Sequence, residues 1–96
     1  MGIVGEQPES GMRVVAERPR GAGPPWRYEG EAAVQDAHFH LVVTLDEHGV
    51  VNVDVDGEPP AGLGDKVRLI VRTAWRRAAE DGLSPPVRIA RWRADF

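Results

Sequence analysis

The chain has 96 residues, a formal net charge of −3 and no cysteine, which bounds it to one domain and excludes disulfides and thiolate metal sites. No apolar run approaches the roughly 18 residues that span a bilayer, and no basic stretch followed by an apolar run opens the chain, so neither a membrane segment nor a secretory signal is expected. Without cysteine the cytoplasm is the default compartment.

Residues 1–11 place two weak apolar side chains among Gly, Glu, Gln, Pro and Ser, a composition that predicts a disordered tail, leaving 12–96 as the single folded domain. Met12 to Arg18 alternates weakly and reads as a short edge strand. Arg18 to Pro25 is a Pro/Gly loop too long for a tight hairpin, so the first strand is free to sit away from its sequence neighbour.

Three strand signals follow. Trp26, Tyr28, Gly30, Ala32 and Val34 share one face of the first, with Arg27, Glu29 and Glu31 on the other. Ala37, Phe39, Leu41, Val43 and Leu45 share a face of the second, opposite His38, His40 and Thr44. Val51, Val53 and Val55 share a face of the third, opposite Asn52, Asp54 and Asp56. A one-residue slip would turn a buried face to water, so these parities predict the register. A loop at Gln35-Asp36 pairs Val34 with Ala37 and Trp26 with Leu45. A loop at Glu47-His48-Gly49 pairs Leu45 with Val51 and Leu41 with Val55, with Asp46 starting the turn and Gly49 supplying a left-handed residue.

From Gly62 to Gly82 the period changes to that of a helix. Leu63, Val67, Ile70, Val71, Ala74, Trp75 and Ala78 fall on one face, and Lys66, Arg68, Arg72, Thr73, Arg76, Arg77 and Glu80 on the other. Asp65 is the expected N-cap, Gly82 the C-terminal stop, and Leu83 should fold back on the last turn before Pro85 and Pro86. Trp75 is expected to fill the room that Gly30 and Ala32 leave on the sheet. Leu69 breaks the pattern by pointing into the polar face.

In Val87 to Phe96, Val87 and Ile89 share one parity and Ala90, Trp92, Ala94 and Phe96 the other. Either a bulge near Ile89-Ala90 reconciles them or both faces are partly covered. This strand pairs in parallel beside an outer strand of the meander, or antiparallel with the Met12 strand. The sequence therefore predicts a two-layer α+β domain of order β-β-β-β-α-β: an antiparallel or mixed sheet of four to five strands with one long helix on one face.

The register collects His38, His40, Glu31, Asp56, Glu29 and Asp54 on the sheet face away from the helix. A solvated face of charge pairs is the plain reading. Two imidazoles and a carboxylate also make a divalent-metal ligand set, although side chains two apart on a strand diverge. A third reading is an interface that responds to pH through His40. Residues 1–60 hold four basic and eleven acidic side chains, and residues 61–96 hold eight and four, which suits self-association or a charged partner. Arg68, Arg72, Arg76, Arg91 and Arg93 are candidate nucleic-acid contacts, set against an acidic whole chain with a single lysine. No nucleophile–base pair and no phosphate-binding loop is present, so no catalysis and no cofactor is expected. The expectation is a small non-catalytic interaction domain of unknown process, working as a homodimer or with another protein and using Leu69, Trp92, Ala94 and Phe96 or an edge of the sheet. Nucleic-acid binding and metal or small-ligand binding are the alternatives.

Overall fold

A computed structural model describes residues 11–21, 23–35 and 37–93. Residues 1–10 of the tail expected at 1–11, Asp36 of the first hairpin, and Ala94 and Phe96 of the expected interface lie outside the described residues.

The elements are β1 (Met12–Glu17), β2 (Trp26–Val34), β3 (Ala37–Leu45), β4 (Val51–Val55), α1 (Leu63–Glu80) and β5 (Arg88–Arg93). The five strands form one sheet in the order β4-β3-β2-β1-β5, and every neighbouring pair is antiparallel. This is the α+β architecture that the two periods predict. The meander has the register that parity requires: Trp26 faces Leu45, Gly30 faces Leu41, Leu45 faces Val51 and Leu41 faces Val55.

In the second hairpin, Asp46 Oδ1 accepts from the His48 and Val50 N–H groups at 2.8 and 2.9 Å, and Gly49 takes φ 84°. These bonds to the anion hold the Asp46 carboxyl below its usual range, the Val50 N–H contributing most. In the first hairpin Gln35 sits at φ 53°, a left-handed turn position.

α1 buries Leu63, Val67, Ile70, Val71 and Ala74 against Met12, Val14, Tyr28, Leu41, Val43, Leu45 and Ile89. Burying each of the Leu, Val and Ile side chains is worth about 1.5–3 kcal/mol of transfer free energy, so this stripe is the main apolar cover of the sheet. The helix closes with a Schellman motif: Leu83 N–H donates to the Ala78 carbonyl and Gly82 N–H to that of Ala79.

Four local expectations are corrected. The helix begins before Asp65, after a left-handed Gly62 that offers no side-chain cap; Asp65 is instead in the first turn and accepts from Arg68 at 3.1 Å. The Leu83 backbone folds back, but its side chain is 64 % exposed. Trp75 does not fill the space over Gly30. Its ring lies on Gly49, where an added Cβ would come within 2.6 Å of Cζ3. The space at Gly30 is taken by β1, because an added Cβ there would fall 1.9 Å from the Val15 carbonyl oxygen.

The fourth, a bulge in β5, is not met, whereas antiparallel pairing with the Met12 strand, one of the two placements expected, is. The strand has no bulge; it pairs continuously with β1 from Arg88–Glu17 to Arg93–Met12. Ile89 faces α1 and is buried, while Ala90 and Trp92 lie on the far face, opposite Val15 and Arg13. Arg91 and Arg93, not apolar residues, follow Ile89 on the helix side. The α1 backbone runs closer to β4 than to β5 at the opposite edge of the sheet, so charged side chains are tolerated on the helix side of β5.

Candidate functional site

The outer sheet face is built as parity predicts, but its histidines do not converge. Glu31 is the backbone partner of His40, yet its carboxylate leans diagonally to His38, with Oε2 3.6 Å from Nδ1. His40 Nδ1 lies 3.4 Å from Asp56 Oδ2 instead. Arg27 and Glu29 pair with each other further along β2, and Asp54 stands opposite Val42. All of these side chains are exposed, so each pair contributes under about 1 kcal/mol. The twist between strands separates same-face neighbours and gives each imidazole its own carboxylate. Among the described residues no group of three or more His, Cys, Asp or Glu side chains is placed to hold a metal ion.

The other end of the outer face is different. Trp92 is 57 % exposed and stands on an edge strand across from Arg13. Ala90 and Val15 beside it are half-buried. Arg88 pairs with Glu17 at 3.3 Å. On the helix side of the same strand, the end of α1 and β5 leave a shallow groove floored by Ala74, Ala78, Leu83 and Pro86 and flanked by Arg77 and Arg91. Leu69 is 59 % exposed, as its position on the helical wheel predicts, but it lies on α1 and not on the β5 surface. Arg72 and Arg76 are exposed on the solvent side of α1, and Arg68 is tied to Asp65.

One polar cluster was not legible as such. Arg18, only 8 % exposed, donates from Nε and Nη2 to the Pro85 carbonyl at 3.2 and 2.5 Å, and from Nη1 to Pro19 at 2.9 Å. Tyr28 Oη donates to the Pro86 carbonyl at 2.5 Å, and burial raises the phenol above its ordinary pKa against the opposing pull of Arg18. The two side chains clamp the segment that leads into β5. The one available signal was Tyr28 on an apolar face, because a buried phenol needs a partner. The partners are proline carbonyls 58 and 67 residues away, which no local pattern specifies.

The described residues therefore define an α+β domain with an arginine-flanked edge at β5 that carries an exposed tryptophan. No family model matches the chain, and neither curated proteins nor solved structures give a match. No helix among the described residues is long and apolar enough to cross a membrane.

Proposed function

We propose that the protein is a non-catalytic interaction domain that works as a homodimer, with β5 as the contact. The observation that carries this is Trp92, a large amphipathic side chain more than half exposed on an edge strand. Tryptophan and arginine are the side chains around which interface anchors are built, and β5 supplies both. Light scattering on the full chain tests the reading. A dimer of the 10.5 kDa chain at high micromolar concentration is expected, and a monomer there overturns it.

A second reading uses the same patch. Arg13 beside the exposed Trp92 on the outer face, with Arg91 and Arg93 on the other side of the same edge strand, can meet phosphates while a base stacks on the indole. Retention on heparin at low salt supports it, and flow-through ends it.

A further inference from the structure

We propose that a second copy of the chain extends the sheet through β5, antiparallel and two-fold symmetric about Ala90, so that two five-stranded sheets become one. The inference rests on the homodimer reading above and specifies its geometry.

The backbone phase comes first. Arg18 N–H donates to the Val87 carbonyl at 2.9 Å, and Glu17 lies opposite Arg88. Bonded and non-bonded pairs alternate along an antiparallel ladder. Ile89, Arg91 and Arg93 therefore turn their N–H and C=O groups toward β1. Arg88, Ala90 and Trp92 turn theirs out of the sheet, where no strand lies beyond β5 among the described residues.

A second β5 must bring outward residues against outward residues, and few registers do so. Centred on Arg88, the pairing sets Arg88 against itself and Pro86 against Ala90. Centred on Ile89, it sets Trp92 against Pro86, which has no N–H and whose carbonyl already accepts from Tyr28. Centred on Arg91 or Trp92, it sets arginine against arginine. Centred on Ala90, all three outward residues exchange both of their backbone groups with the other copy, the Ala90 carbonyl giving up the bond it accepts from the exposed Arg91 Nη1 at 2.8 Å. Ala90 then meets Ala90, the smallest side chain on the strand. Trp92 meets Arg88, placing a guanidinium beside an indole. Arg91 meets Ile89, and Arg93 meets Val87.

The charges set a signature. Arg88 is already balanced by Glu17 at 3.3 Å. Arg91 and Arg93 of the two copies share the helix side of the joined sheet, within roughly a Debye length of one another, so added salt strengthens this contact. An acidic peptide or nucleic acid on the same arginines would be released by salt. Pairing of β5 with β4 of another copy is heterologous and does not close, so it would give fibres.

The test is sedimentation equilibrium of the full chain and three variants. Ala90→Pro removes an outward N–H while leaving every bond to β1 in place, a site where an edge strand tolerates proline. Trp92→Arg, at an exposed position, sets arginine against Arg88. Both should weaken the dimer at least about tenfold with an unchanged far-UV circular dichroism spectrum. Should Ala90→Pro fail to fold, Trp92→Arg decides. Ala90→Cys, in a chain with no other cysteine, should form a disulfide-linked dimer on mild oxidation, because bonded pairs stand about 5.5 Å apart at Cα. Leu69→Cys should not. A dimer that survives Ala90→Pro or Trp92→Arg undiminished, or that cross-links at Leu69→Cys instead, overturns the β5 ladder and leaves standing only that the chain is a homodimer, through another surface. A monomer at high micromolar concentration overturns both, and open polymers overturn the symmetric pairing.

Discussion

Gly30 is where β1 and β2 approach too closely for any side chain, so Gly30→Ala is a direct test of the sheet geometry. The added methyl carbon would sit 1.9 Å from the Val15 carbonyl oxygen, 2.6 Å from Ala16 Cα and 2.8 Å from the Val15 carbonyl carbon. Ordinary contact is 3.4 Å or more. Every atom in the way is backbone, so no rotamer change relieves the overlap and β1 must move by more than about 1 Å. Overpacking of this kind costs about 1–3 kcal/mol. Displacing β1 also weakens the ladder around Val15, at about 1 kcal/mol for each bond lost. The sum is about 3 kcal/mol. At about 4–8 °C per kcal/mol for a domain of this size, the melting temperature should fall by about 12–24 °C. Thermal melts followed by far-UV circular dichroism measure it, with Gly64→Ala as control. Gly64 is helical with open space where the methyl would go, so that change should stabilise the protein by about 0.5–1 kcal/mol. A Gly30→Ala melting temperature within about 3 °C of the parent would refute the close approach of β1 and the reasoning built on it.

Three further outcomes are expected. Arg18→Met strips the Pro85 and Pro19 carbonyls of a buried charged donor and should cost about 2–4 kcal/mol in urea unfolding; a cost under about 0.5 kcal/mol would place the clamp outside the stabilising contacts. Asp46 has a lowered pKa in the folded state, so its contribution is present above the unfolded carboxyl value and disappears as pH falls through the folded one. The stability difference between the parent and Asp46→Asn should therefore shrink between about pH 5 and pH 2, and a difference constant with pH would contradict the turn assignment. Tyr28 has a raised pKa, so its contribution is complete below about pH 10 and is lost as pH rises through the higher folded value. Because it is the one tyrosine in the chain, phenolate absorbance reads it alone, and titration at or below about pH 10 in the folded protein would refute its burial.

The amino-acid sequence by itself determined the meander and the helix. Alternation in 26–34, 37–45 and 51–55, with turn chemistry at Asp46 and Gly49, leaves one register that turns the bulky side chains to one face, and the spacing of Leu63, Val67, Ile70, Val71 and Ala74 marks the face that covers it. These are local relations, set by a period and a loop length, and so they can be read along the chain. The same locality placed His38 and His40 on the outer face and Asp56 beside His40, but not the lean of Glu31 to His38, because sheet twist decides which carboxylate leans where. Only the tertiary structure decided the rest: that β5 returns beside β1, that Trp92 faces outward while Ile89 faces the helix, that Gly30 serves a neighbouring backbone, and that Arg18 and Tyr28 hold prolines far along the chain. Each of these joins segments distant in sequence. Such pairings follow from the closure of the whole sheet around one core, and no window of neighbouring residues contains them.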